Sequence, residues 1–303
     1  MQKKAVFCLF SHRRKDWRKV LSEGLQVAKM AKMGYNNRKQ PAMQLQNTGN
    51  REDDRMVEIC CGSYEDAVAA SRGGAERIEL NSALALGGLT PSAGCIRLVK
   101  KTTDLTVISM VRPRGGGFCY TELETEQMFE EAKMLLECGS NGLAFGFLTR
   151  NREIDLEKTG RMTELIHSYG QKAVFHRAFD CTADPEAAVS QLIELGADRI
   201  LTSGLRGTAW EGRELLKKLQ QEFGGRIELL AGSGVNAGNA GRLMEFTGIS
   251  QIHSSCKGWR NDPTTSGEHV NYSFAGTPHE DDYDMVDEVL VRQLMESVKQ
   301  RKQ

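Results

Sequence analysis

The chain has 303 residues, 40% of them hydrophobic and 26% charged, enough to bury a substantial core in one large α/β domain or two smaller ones. Lys plus Arg and Asp plus Glu number 40 each, so the net charge offers no attraction for nucleic acid or an acidic membrane. No apolar run reaches the ~18 residues of a membrane span, and the eight cysteines are scattered without a Cys-x-x-Cys pair, so a cytoplasmic address with reduced thiols is expected.

Residues 1–55 differ in composition from the rest of the chain. They hold about 13 basic and 5 acidic residues, which leaves the remainder acidic by about eight charges. DWRKVLSEGLQVAKMAKMG has the spacing of an amphipathic helix, but QPAMQLQNTGNREDD after it has the composition of a linker. Three readings stay open: an extension upstream of a true start at Met56, a disordered partner-binding arm, or an organelle leader, against which Asp16 and Glu23 count.

From Met56 onward short apolar runs recur: MVEICCG (56–62), RIEL (77–80), VISMVRP (107–113), GLAFGFL (142–148), KAVFHRAFD (172–180), RILTSG (199–204), IELLAGSG (227–234) and GISQIHSSC (248–256). Between them lie segments with apolar residues three and four apart, most of them ending in Gly as helix C-caps do. This alternation predicts a (β/α)8 TIM barrel over residues 56–303. A doubly wound open sheet would alternate similarly, but the first strand lacks a Gly-x-Gly-x-x-Gly turn and many strands, rather than one switch point, end in polar residues. The tail HVNYSFAGTPHEDDYDMVDEVLVRQLMESVKQ is expected to form a short C-terminal helical segment that covers a barrel end or a neighbouring subunit.

In a barrel, residues of one parity point inward, and those at the C-terminal strand ends line the mouth. Glu58 and Cys60 on the first strand, Glu79 on the second, Arg112 and Arg114 after the third, His176 on the fifth and His253 on the eighth then face one another, with Asp180 just beyond the fifth. This set suits acid–base chemistry, with Glu58, Glu79, Arg112, His176, Asp180 and His253 as its candidate catalytic groups. The plainer alternative is that Glu58 and Glu79 pair with Arg112 and Arg177 to close the barrel interior. For an anion, Arg112 and Arg114 beside three glycines, Ser203, Gly232, Gly234 and Ser254 are the candidate donors, the last three where many barrels hold a phosphate.

The runs EICCGSYEDAVAASRGGAERIEL, GGLTPSAG, VRPRGGGFCY, FHRAFD, RILTSG, AGSGV and IHSS, in this order, closely resemble the CutC family of copper homeostasis proteins over Met56 to the C-terminus. The resemblance implies a cytosolic TIM barrel, usually a homo-oligomer, with a tie to copper. Where copper binding has been proposed in the family, the ligands are cysteines near the ends of strands one and two. Here those positions are Cys60 and Asn81, so a two-thiolate Cu(I) site is incomplete unless Cys61, Cys119, Cys181 or His176 substitutes. Two functions are therefore expected to compete: copper homeostasis through Cu(I) at Cys60, and a metal-independent barrel enzyme acting on a small anionic or phosphorylated metabolite.

Overall fold

The computed structural model describes residues 55–299, so the readings of residues 1–54 lie outside the described residues. Eight parallel strands, β1 (Met56–Cys61), β2 (Arg77–Leu80), β3 (Thr106–Met110), β4 (Gly142–Phe145), β5 (Lys172–Phe175), β6 (Arg199–Thr202), β7 (Glu228–Ala231) and β8 (Gln251–Ser254), close in chain order into the expected barrel. Helices α1 (Tyr64–Arg72), α2 (Ala93–Thr102), α3 (Glu122–Glu137), α4 (Leu156–Ser168), α5 (Pro185–Glu194), α6 (Arg213–Phe223) and α7 (Ala240–Thr247) come after the first seven strands in turn. Local chemistry sets their starts. Ser63 accepts the Asp66 N–H at 3.0 Å to begin α1, Thr121 and Glu124 form a reciprocal capping box on α3, and Asp184 caps α5 with Pro185 in its first turn.

Most of the core lies between strands and helices, where Ile59, Ile78, Leu143, Phe145, Phe175 and Leu216 are fully buried. Burying each such side chain is worth about 1.5–3 kcal/mol. Inside the barrel the two halves differ. Ile108, Met110, Ala144 and Val174 form a separate apolar cluster on β3 to β5, whereas β1, β2 and β6 send Glu58, Arg77 and Arg199 into the interior.

Two features differ from the sequence reading. The fifth strand ends at Phe175, because His176 accepts the Ala178 N–H on its ring nitrogen and starts a short 3-10 turn over Arg177–Cys181. The C-terminal helix α8 (Glu288–Lys299) is no appendage: it packs against α7 and α1 and so takes the place of the eighth barrel helix. Val291, Leu294 and Val298 form its buried stripe, and Gly73 gives it room, since a Cβ there would lie 2.6 Å from Val291. Between β8 and α8 the chain inserts an antiparallel pair, β9 (Lys257–Asn261) and β10 (Asp282–Val286), tied to α1 by Asp66, which accepts the Val286 and Gly62 N–H groups at 2.8 and 2.9 Å. Among the described residues no helix is long and apolar enough to cross a membrane.

Because α8 belongs to the ring, Leu294→Ala is expected to destabilise the barrel by about 2–5 kcal/mol in urea titrations, the cost of a core truncation; a loss under ~0.5 kcal/mol would make α8 peripheral.

Candidate functional site

Strand register builds the site. On β1, Glu58 lies opposite His253 of β8 and Arg77 of β2, and two residues on, Cys60 lies opposite Glu79. The side chains of one layer therefore meet. Glu58 accepts a hydrogen bond from His253 Nδ1 at 3.0 Å, and its other oxygen is 2.7 Å from Arg77 Nε and 3.9 Å from Arg199. Burial alone would raise the Glu58 pKa, but the His253 hydrogen bond and the Arg77 and Arg199 charges outweigh it and lower it to about 2. Arg77 also donates to Gln251 at 2.7 Å, and Arg199 to Glu228 at 2.8 Å, so the ion pairs continue to the N-terminal end of the barrel.

One layer up, the other nitrogen of His253 meets Cys60 and Glu79; one ligand atom from each of the three lies within 4.8 Å of the others. Glu79 Oε2 is 3.8 Å from His253 Nε2, 3.8 Å from the Cys60 thiol and 3.0 Å from the Asn81 amide nitrogen that donates to it. Burial lowers the pKa of His253, but the hydrogen bonds to Cys60 and Glu58 and the Glu79 charge more than offset this and hold it well above the usual imidazole range. Its neighbours thus favour the imidazolium form of His253. Burial pushes Glu79 and the Cys60 thiol up, each helped by a neighbouring carboxylate.

These groups open into a cavity of about 370 Å³ at the C-terminal mouth of the barrel, lined on its far side by Met110, Arg112, Phe118 and His176 and on its rim by Gly234, Ser255, Lys257 and Asp284. His176 is 3% exposed, and burial, with the nearby Arg112 charge, lowers its pKa to about 3. It is therefore neutral. Its Nδ1 accepts the Ala178 N–H at 3.1 Å, which leaves the proton on Nε2, an atom with no partner among the described residues. Arg112 spends its terminal nitrogens on backbone: Nη1 donates to the carbonyls of Leu86, Gly87 and Gly88 at 3.0–3.1 Å, and Nη2 to Gly116 at 2.6 Å. Gly87, with φ of +87°, is required there, because a Cβ would approach Nη1 to 2.9 Å.

The structure thus brings Glu58, Cys60, Glu79, Arg112, His176 and His253 to one place and leaves other predicted residues outside it. Asp180 does not line the cavity; its carboxylate accepts from Thr202, from Ser203 N–H and Oγ–H and from Arg177, which fixes the β6 loop. Ser203 is consumed by that same network. Arg114 points elsewhere, paired with Glu124 and lying over Tyr120. Gly232 serves packing, since a Cβ would be 2.7 Å from Leu201 and 3.3 Å from His253, whereas Gly234 and Ser254 do line the mouth. The expected interior pairing of Glu58 and Glu79 with Arg112 and Arg177 is replaced by pairing with Arg77, Arg199 and His253. Of the substitute thiols, Cys61 faces the outer core and Cys119 and Cys181 are exposed away from the cavity.

Sequence reasoning missed several members. Arg77 and Arg199 open their strands, and the parity that placed Glu58 inward would have placed them there too. Lys257 and Asp284, joined by an ion pair of 2.8 Å, reach the rim from β9, which is mostly exposed and polar, and from β10, whose alternation is only a few residues long.

A parallel (β/α)8 barrel with a polar cavity at the C-terminal mouth defines the class, and comparison with known proteins supplies the family. The CutC family model matches residues 55–258, and the chain belongs to the CutC family. A CutC family protein of Treponema denticola is 46% identical over 226 residues, spanning 74% of this chain and 91% of its own length; one of Bacteroides thetaiotaomicron is 45% identical over 234 residues, spanning 76% and 91%. The crystal structure of CutC from Streptococcus agalactiae superposes with a TM-score of 0.63 at 33% identity, over 66% of this chain and 98% of that one.

The buried neutral His176 has a consequence for stability. The unfolded chain takes up a proton at this imidazole near its ordinary 6.5, the folded one only near 3, so stability is full above that range and falls as pH drops through it. His176→Gln is expected to flatten the acid limb by up to about 1.4 kcal/mol per pH unit between about pH 6 and 4, measured by urea titration; an unchanged slope would mean that His176 charges in the fold.

Proposed function

We propose that the protein is a metal-independent barrel enzyme that moves a proton on a small anionic metabolite held at the C-terminal mouth. The observation that carries this reading is the opposed pair at the cavity floor. His253 is oriented by the ionised Glu58 and offers its Nε2–H, while Glu79, its carboxyl raised by burial and 3.8 Å away, is tuned toward a base. In this reading His253 is the acid, Glu79 the base, and Glu58 with Arg77 the anchor that fixes the imidazole. Lys257 and Ser255 at the rim supply charge and hydroxyl for the anionic end of the ligand.

A second reading, copper homeostasis in the cytoplasm through bound Cu(I), draws on the name of the Streptococcus agalactiae protein, which carries a proposed role in copper homeostasis, and on the convergence of Cys60, Glu79 and His253. Cu(I) favours soft donors, so Cys60 Sγ and His253 Nε2 fit a two-coordinate site, while the Glu79 oxygen and Asn81 amide add little. Both ligands must first lose a proton, and burial opposes this at Cys60.

Two measurements separate the readings. Incubation in heavy water with a panel of small phosphorylated and carboxylated compounds should show deuterium entering at least one of them, with His253→Gln and Glu79→Gln each slowing it by about 10²–10⁴-fold. Incorporation no faster than in those variants would sink the enzyme reading. In anaerobic Cu(I) titrations against a competing chelator, the copper reading requires tight binding that strengthens as pH rises and disappears in Cys60→Ser; binding retained in that variant would remove it.

A further inference from the structure

Behind the floor of the mouth cavity, Glu58 belongs to a closed ring of side chains that reaches the N-terminal end of the barrel. Glu58 Oε2 is 2.7 Å from Arg77 Nε, and Arg77 Nη2 donates to Gln251 Oε1 at 2.7 Å. Gln251 Nε2 donates to Glu228 Oε2 at 3.0 Å, the same oxygen accepts from Arg199 Nε at 2.8 Å, and Arg199 Nη1 returns to Glu58 Oε2 at 3.9 Å. The five residues come from β1, β2, β8, β7 and β6, and none of them lines the cavity. Their hydrogen bonds are unevenly shared. Arg77 and Arg199 give aligned bonds outward, to Gln251 and Glu228. Arg77 Nε, Arg199 Nη1 and Glu58 Oε2 make no hydrogen bond among the described residues and meet only as charges. The hydrogen bond that Glu58 does accept comes from His253 Nδ1, at 3.0 Å.

A guanidinium next to a buried carboxylate ordinarily settles into a hydrogen-bonded pair with it. Arg199 does not, because Glu228 holds two of its nitrogens, Nε at 2.8 Å and Nη2 at 2.6 Å, and keeps the third 3.9 Å from Glu58. From this ring, and resting on the acid–base reading above, we infer that Glu228, exposed at the N-terminal end of the barrel, is a positioning residue for His253: it restrains Arg199 and so leaves the Glu58 carboxylate to the imidazole. Gln251 restrains Arg77 in the same way, through Nη2. Charge balance adds to the effect. Arg77 and Arg199 are like charges gathered on one buried carboxylate, and Glu228 supplies the second anion of the ring. Without that charge, Glu58 is the nearest anion left to Arg199. A hydrogen-bonded Arg199–Glu58 pair would compete with His253 for the same carboxylate and turn the imidazole out of line with Glu79. A surface carboxylate at one end of the barrel thereby sets the orientation of a proton donor at the other.

The test is Glu228→Gln in the full-length protein, which keeps the side-chain shape and removes the charge. It is read by a nitrogen-edited NMR spectrum of the histidine rings and by deuterium incorporation into whichever compound of the panel the wild type labels. The expected result is a His253 Nδ1–H proton that moves upfield as its bond to Glu58 weakens, with kcat for incorporation lower by about 10–100-fold and KM unchanged. Adding Arg199→Met, which removes the released guanidinium, is expected to bring both the signal and kcat back toward wild type. A merely structural ion pair predicts a further loss in that double variant. An Nδ1–H signal unmoved in Glu228→Gln, or a double variant no better than the single one, would overturn the positioning role. Failure here is distinguishable from failure of the acid–base reading. Incorporation lost in His253→Gln, with the His253 signal unmoved in Glu228→Gln, would overturn only the role of Glu228. A signal that moves and is restored as expected, without incorporation in any compound, would overturn only the acid–base reading.

Discussion

A carboxylate with 1% of its surface exposed remains ionised in the middle of this barrel, and the rest of the site depends on it. Isolated, the Glu58 charge would be expelled or neutralised. It is tolerated because Arg77 and Arg199 approach from the N-terminal side and His253 from the C-terminal side, so one buried anion fixes three cations. Such a cluster is a poor way to gain stability, since apolar side chains of equal volume often do as well or better. Its value lies in orientation: with Nδ1 committed to Glu58, His253 can present only Nε2 to the mouth.

The division of the interior has the same origin. Charges on β1, β2 and β6 to β8 hold one another, and the apolar cluster on β3 to β5 fills the remainder, so the cavity acquires titratable groups on one side and Met110 and Phe118 on the other. The two histidines acquire opposite characters from their neighbours. His253 between carboxylates is biased toward its charged form, and His176 among Phe118, Phe175 and the Arg112 guanidinium is held neutral. Residue type alone could not have assigned those states.

How far the sequence could be read depended on what each signal requires. Strand count, inward parity and the approach of Glu58, Cys60, Glu79, His176 and His253 all come from periodicity, because a closed parallel barrel leaves one inward set per strand. Asp180 and Arg114 looked equally suitable, yet their partners come from loops: Ser203 and Leu205 N–H groups for the first, Glu124 for the second. Loop geometry leaves no period to read. The CutC motifs fixed the family and the departure at Asn81, but the motif gives no sign that Asn81 donates to Glu79. The insertion of β9 and β10 was illegible for a simpler reason: β9 is mostly exposed and polar, and β10 carries only the short alternation Tyr283, Met285, too brief to stand apart from the acidic turn before it.

The place of α8 bears on how the chain is made. The helix that seals the groove between α7 and α1 is the last described element, 12 residues long and preceded by an insertion that contributes nothing to the ring. During synthesis β1 and α1 are made well before α8, so one flank of α1 stays uncovered until that helix is available, and the unfinished barrel, with this apolar flank exposed, is the form on which chaperones would act.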